Sequence, residues 1–336
     1  MYLDDTLIVY IRDIALVGLV TLPALILTVL LCLRTPGSGD DPRRQWVKFT
    51  KVAFGLFTLG RDVLIREVSR FNVLRMVYGG VGAESFDWVI ESYDSQYVVL
   101  ETLASICIPI RNVGQAAVFL SLFYLTRAFA LLQSDKTSEG LSAGQKWTLG
   151  AFIWVCLAGV TSMCLSFSSW AARVAAGFGN RSSGDMSSFY RSIASFSLDV
   201  ALYATHLICA ISVMVYIAKT RKKLGTRLLK FCVEKDLLEQ DADPRNLQAS
   251  NLMLTCGILW LIRITWVVLY IVLSNLVVSG YGGWEALLIS IIDDLLDVYL
   301  CFVVLVLLYV LATVDKYAVL QPQEQEQRTK NREQVA

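Results

Sequence analysis

The sequence contains little charge and a single histidine. Asp, Glu, Lys and Arg make up 18% of its 336 residues, and 55% of the residues are hydrophobic. Typical soluble domains carry about a quarter charged residues. The composition therefore excludes an ordinary soluble domain and indicates a polytopic membrane protein. The net charge of +1 provides no general attraction to nucleic acid, which we exclude as a partner.

The lack of histidine, paired cysteine and mid-membrane lysine limits the cofactors. One histidine, His206, cannot form a bis-histidine haem or a histidine-rich metal site. The eight cysteines lie within or on the presumed inner side of apolar segments, so a disulfide framework is not expected. A retinal protein needs a lysine inside its last helix, and the nearest one here is Lys316, at the inner end. We therefore expect no haem, retinal, metal or other cofactor.

Apolar segments recur along the chain at lengths suited to a bilayer, which needs about 20 residues per helical span. The predicted spans are 13–33, 50–72, 97–132, 147–168, 193–218, 252–278 and 285–314. The second of these is the weakest because it carries several charges. The sequence thus predicts an all-α bundle of seven transmembrane helices over residues 1–318. A polar tail, 319–336, is predicted to be disordered.

Loop charge predicts the orientation of the bundle. With the N-terminus outside or lumenal and the C-terminus cytosolic, the inner segments hold twenty Lys and Arg residues and the outer ones hold three. Cytosolic loops carry such an excess. The basic segment 219–230 is then an inner loop that contacts anionic lipid. An acceptor sequence for glycosylation at Asn180 falls in a predicted outer loop.

Charged side chains occur inside the predicted spans, in their middle-to-outer half. A charge at the centre of a spanning helix costs about 2.5–3.5 kcal/mol on insertion scales, so such residues mark a function or a pairing. The acids include Asp62, Glu101, Asp199, Asp293, Asp294 and Asp297, and the arginines include Arg66, Arg111 and Arg263. The pattern predicts a polar chamber that opens toward the outer side.

Helical spacing places these residues on shared faces. Asp293 and Asp297 are four residues apart and lie on one stripe. Asp294 is offset by about 100° and is expected to face a neighbouring helix. Two further stripes combine charge with aromatic rings: Asp199, Tyr203 and His206 on the fifth span, and Trp260, Arg263, Trp266 and Tyr270 on the sixth. For any single pair of opposite charges, the alternative interpretation is a structural ion pair that only holds two helices together.

This arrangement of acids on early and late helices, with large aromatic residues, resembles the integral-membrane terpene cyclases of fungal meroterpenoid pathways. The resemblance lies in architecture and residue type over most of the chain. It implies an isomerase or lyase of secondary metabolism, in which buried acids protonate an epoxide or alkene of a prenylated substrate. Aromatic rings would stabilise the resulting cation.

The resemblance implies two groups of site residues. The catalytic candidates are Asp293, Asp297, Asp199, Glu101 and Asp62. The substrate-binding candidates are Arg66, Arg111, Arg263, Tyr203, His206, Trp260, Trp266 and Tyr270. The expected partners are a lipophilic small-molecule substrate and membrane lipids.

A receptor-like or transporter-like protein, binding a small ligand or ion in the same chamber, is the alternative. The third predicted span has no Asp-Arg-Tyr at its inner end and the seventh has no Asn-Pro-x-x-Tyr, which disfavours the large receptor class. Inverted repeats and broken helices, common in transporters, are not evident. The outer side would be the lumen of the endoplasmic reticulum or the cell exterior, and we expect the former.

Overall fold

The protein is helical throughout the part that its computed structural model describes, which is residues 19–35, 44–60, 110–130, 143–175, 186–234, 244–277 and 284–313. These ranges contain seven helices and no strand. The helices are α1 (Leu19–Arg34), α2 (Gln45–Gly60), α3 (Ile110–Ala130), α4 (Ala143–Ala175), α5 (Met186–Glu234), α6 (Pro244–Val277) and α7 (284–313). The last consists of Trp284–Asp293, a π-helical segment at Asp294–Tyr299, and Leu300–Thr313.

Four of these helices are long and apolar enough to cross a membrane. Their apolar stretches are Ile110–Ala130, Phe196–Lys222, Gln248–Tyr270 and Ile291–Thr313. Shorter apolar helices occur at Leu19–Arg34 and Gly150–Ser162. The predicted all-helical membrane architecture is confirmed at this level. Of the predicted second span, 50–72, the part after Gly60 lies outside the described residues, as does the predicted tail.

Three pairs of successive helices pack antiparallel. Trp154 of α4 donates a hydrogen bond to Thr205 of α5, and Ser162, further along α4, donates to Asp199, which comes earlier in α5. Two other neighbouring pairs show the same reversed order. The contacts are Thr50 with Ser121 and Leu56 with Gly114 between α2 and α3, and Arg263 with Asp297 and Trp266 with Asp293 between α6 and α7.

Helices α3 and α5 run parallel, because Arg111 at the start of α3 contacts Tyr203 of α5, and Phe123, further along α3, contacts Tyr216, further along α5. The ends of α2, α4 and α6 therefore lie at the same end of the bundle as the starts of α3, α5 and α7. Helices that alternate in direction bring residues that are remote in sequence to one level of the bundle.

The bundle buries aliphatic side chains inside and exposes others outside. Val304, Leu305 and Leu308 of α7 are fully buried. One side of α1 exposes large apolar side chains, among them Leu22 and Ile26. An outer surface of this kind suits contact with lipid, since a soluble surface rarely exposes apolar side chains along a whole helix.

The basic segment 219–230, predicted to be a loop, is helical as far as Glu234 because α5 continues through it. The 49 residues of α5 span roughly 70 Å, well beyond the thickness of a bilayer's hydrocarbon core. Lys, Arg and Leu are good helix formers, so a charged segment that leaves the apolar region can keep its helical conformation. The basic residues correctly marked where the apolar stretch of α5 ends. They did not mark where the helix itself ends, because the helix continues to Glu234.

Candidate polar site

A buried ion pair joins α6 to α7. Nη2 of Arg263 lies 2.5 Å from Oδ1 of Asp297, and Nε of Arg263 donates to the backbone carbonyl of Asp297 at 3.0 Å. Arg263 is 1% exposed and Asp297 is 8% exposed. The guanidinium is thus bound by both the side chain and the main chain of one residue, which fixes its orientation.

The main-chain bond occurs at the π-helical segment of α7. There the N–H of Leu300 bonds to the carbonyl of Leu295, five residues back instead of four. Such single-turn interruptions are frequent at functional sites. In this helix the segment contains Asp294 and Asp297, both of which are buried.

Aromatic rings of α6 surround the charged groups. The guanidinium of Arg263 lies 4.6 Å from the centroid of the Trp260 ring, within the range of cation–π attraction. The indole Nε1 of Trp266 donates to Oδ1 of Asp293 at 3.0 Å. The rings of Trp266 and Tyr270 are 6.4 Å apart. The predicted stripe on α6 therefore faces the predicted Asp293 and Asp297 stripe on α7.

A second group of polar contacts connects α3, α4 and α5. Arg111 donates through Nη2 to the hydroxyl of Tyr203, and its guanidinium lies 5.9 Å from that ring's centroid. The hydroxyl of Ser162 donates to Oδ1 of Asp199 at 2.6 Å. Asp199 is also close enough to Arg111 for an electrostatic interaction.

His206 lies between these two groups. It is 4% exposed and is within electrostatic range of both Arg263 and Arg111. Its Nε2 is buried and has no hydrogen-bond partner in the described part of the chain. The nine residues at this level of the bundle form what we call the polar cluster: Arg111, Asp199, Tyr203, His206, Trp260, Arg263, Trp266, Asp293 and Asp297.

A small cleft with a volume of about 20 Å³ adjoins the polar cluster. Its walls come from α2, α3, α6 and α7, and it is lined by Ala53, Leu56, Phe57, Arg111, Gly114, Gln115, Val118, Arg263 and Cys301. Two arginines and one glutamine are the long polar side chains among these residues. This is room for about one or two water-sized groups, well below the volume of pockets for drug-sized ligands, about 300–1,000 Å³.

The described residues include most, but not all, of the predicted site. Glu101, Asp62 and Arg66 lie outside them. Asp294 is buried, as expected for a residue facing a neighbouring helix, and it is within electrostatic range of Tyr299. Within the described ranges, no three His, Cys, Asp or Glu side chains are grouped as metal ligands.

Sequence reasoning missed Gln115 and Ser162. Gln115 follows Arg111 by four residues, so it belongs to the same face of α3. Both of its side-chain atoms are buried without a hydrogen-bond partner among the described residues. A search for polar side chains at helical spacing from each buried charge, instead of for charges alone, would have found it.

No family model, no curated protein and no solved structure matches this chain. The resemblance to terpene cyclases thus depends on architecture and residue type, and the function must be argued from the polar cluster and the cleft themselves.

Proposed function

We propose that this chain is an integral membrane enzyme that cyclises a prenylated substrate by acid catalysis. The observation that carries the proposal is the position of Asp293. Its carboxyl group accepts a hydrogen bond from Trp266 and lies beside an ion pair, on the side of α7 that faces the aromatic residues of α6. An acid and aromatic rings in a water-poor site are what cation cyclisation requires.

The contacts suggest different roles for the two predicted acids of α7. Asp297 forms an ion pair with Arg263, and an ionised carboxylate has no proton to donate. Asp293 accepts a hydrogen bond from the indole N–H of Trp266, and a carboxyl oxygen can accept this bond whether or not the group carries a proton. Asp293 is therefore our preferred proton donor, and the Arg263–Asp297 pair positions α7 against α6. Asp199, bonded to Ser162, is the alternate donor.

The reaction would proceed as a net isomerisation. Asp293 gives its proton to the epoxide oxygen, the C–O bond breaks, and a carbocation forms on the more substituted carbon. The neighbouring alkene attacks this carbon and closes a ring. Trp260, Trp266 and Tyr270 would stabilise the positive charge as it moves along the chain. The final cation then loses a proton, a proton returns to the Asp293 carboxylate, and substrate and product have the same mass.

The site would open toward the lumen of the endoplasmic reticulum. The α5 residues of the polar cluster, Asp199, Tyr203 and His206, lie in the first half of its apolar stretch, Phe196–Lys222, whereas the basic residues begin at the other end of that stretch. If the basic end is cytosolic, as the charge bias predicts, the cluster lies in the lumenal half of the bilayer. A substrate with a long prenyl chain could reach it directly from the lipid.

The test is turnover of a prenylated epoxide by membranes that contain the chain. Wild-type membranes are expected to form a ring-closed product of unchanged mass, measured by liquid chromatography and mass spectrometry. Asp293→Asn keeps an acceptor for Trp266 but removes the proton, so turnover should fall at least about 100-fold. The amount of protein in the membrane should not change.

Thr255→Val provides the matched control. Thr255 is exposed, and its hydroxyl donates within its own helix to the carbonyl of Asn251. This variant should keep wild-type turnover. The proposal would be disproved by full activity of Asp293→Asn, or by the absence of a ring-closed product from the wild type.

Ligand binding without turnover is the second candidate, and the cleft is the observation that favours it. Arg111, Gln115 and Arg263 line the cleft, whereas Asp293 is not among its lining residues. A receptor-like or transporter-like protein would use such a cleft for a ligand or ion. Saturable binding of a prenylated compound that is recovered unchanged would support this candidate over the cyclase.

A further inference from the structure

The cleft contains buried polar atoms whose hydrogen-bonding capacity is unused within the described residues. Nη1 of Arg263 and both side-chain atoms of Gln115, Nε2 and Oε1, have no partner there. Arg263 is 1% exposed and Gln115 is 3% exposed, and both residues line the cleft. These two donors and one acceptor belong to residues that line one small space, although almost all of the surface exposed inside it is apolar.

Buried polar groups without partners are costly and rare in folded proteins. The remaining walls of the cleft, which include Leu56, Phe57 and Val118, supply carbon surface instead of acceptors. We propose that the cleft binds the oxygenated head group of an otherwise apolar ligand. A hydroxyl or carbonyl oxygen would accept from Arg263 and Gln115, and a hydroxyl proton would be donated to Oε1 of Gln115.

Charge balance indicates that this head group is neutral. The charge of Arg263 is already compensated by Asp297. Arg111 interacts electrostatically with Asp199. A carboxylate or phosphate in the cleft would add a negative charge beside two acids that already balance the two arginines. A neutral oxygen satisfies the unused donors without that repulsion.

The amide of Gln115 supports the same conclusion. A binding site made for an anion presents donors only, whereas an amide presents a donor and an acceptor together. A hydroxyl group is complementary to this pair because it both accepts and donates. The carbon skeleton next to the hydroxyl would contact the apolar side of the cleft.

The inference deepens the proposed function and depends on it only for the isoprenoid tail of the probe. The experiment uses the full chain in phosphatidylcholine nanodiscs, photolabelled with a diazirine-bearing farnesol. Unlabelled farnesol, farnesoic acid and farnesene compete for the label. They share the isoprenoid skeleton and end in a hydroxyl, a carboxylate and a hydrocarbon.

For the wild type, farnesol should compete at a concentration about tenfold lower than farnesene. Farnesoic acid should compete no better than farnesol. Gln115→Met, which keeps the length of the side chain, should remove the preference for farnesol and leave farnesene unchanged. The ratio of the two competing concentrations is compared between the wild type and Gln115→Met, which cancels the different partitioning of the two compounds into the lipid.

Gln248→Met is the matched control, because Gln248 is an exposed glutamine near the start of α6, at the opposite end of the bundle. It should retain the wild-type preference. Gln115→Glu is the second variant, and it should weaken competition by farnesoic acid more than by farnesol.

Equal competition by farnesol and farnesene would mean that water alone satisfies these atoms, and the proposal would fail. An unchanged preference in Gln115→Met would overturn it too, as would a clear advantage of farnesoic acid. The outcome is separable from that of the proposed function. Farnesol-selective labelling without turnover of an epoxide would disprove the cyclase and retain the head-group site.

Discussion

Arg263 depends on Asp297 for both of its hydrogen bonds to α7, through the side chain and the main chain. Breaking a buried ion pair by removing one charge leaves the other uncompensated, at a cost of about 3–5 kcal/mol. We therefore expect Asp297→Asn to lower the free energy of unfolding by about that amount. Titration with sodium dodecyl sulphate in mixed micelles, followed by tryptophan fluorescence, measures it.

Asp293→Asn is the matched comparison one turn away. Its bond from Trp266 involves a neutral donor, and an amide oxygen can still accept it. The loss of stability should be about 1 kcal/mol or less, in line with the net value of one such hydrogen bond. Equal losses for the two variants would show that the ion pair has no special structural role.

Individual residues were predictable where they carry charge. Intramembrane charge is rare enough that Arg263, Asp293 and Asp297 could be singled out, and helical spacing then indicated which faces they share. Their pairing could not be predicted, because it depends on the relative height of α6 and α7. Gln115 is neutral and raised no such signal, although its position relative to Arg111 placed it on the right face.

At the scale of single elements, the π-helical segment of α7 is the feature most open to measurement. It interrupts the regular bonding of the α-helix with a bond that spans five residues, a pattern that is rare outside single turns of this kind. Amides of Asp294–Tyr299 should therefore exchange with deuterium faster than those of Leu300–Thr313. Exchange of the chain in nanodiscs, resolved on overlapping peptides by mass spectrometry, tests this.

The facing stretch of α6, around Trp260 and Arg263, is the internal control, because it lies at the same level of the bundle in regular α-helix. It should be as protected as Leu300–Thr313. Uniform protection along α7 would show that the π-helical segment is no weaker than the rest. Ordinary helical periodicity did not predict this segment, since the stretch DDLLDVY contains neither proline nor glycine to mark an irregularity.

For the whole molecule, hydrophobic runs predicted the helical membrane architecture because burial of apolar surface and lipid contact both select for them. They could not give the packing that unites the polar cluster. That packing follows from alternating helix direction, which brings the first halves of the apolar stretches of α3, α5 and α7 level with the later parts of those of α4 and α6. Loop charge then predicts which side of the membrane this end faces.

Glycosylation can test that orientation. Asn180 precedes the start of α5, so a lumenal polar end predicts a glycan there when the chain is made in microsomes. The glycan should be removed by endoglycosidase treatment and absent from Asn180→Gln. Lys136→Asn creates a new acceptor sequence between α3 and α4, and it should stay unmodified because that segment is predicted to be cytosolic. The opposite result, a glycan at the Lys136→Asn site and none at Asn180, would contradict the predicted orientation. It would place the polar cluster in the cytosolic half of the bilayer.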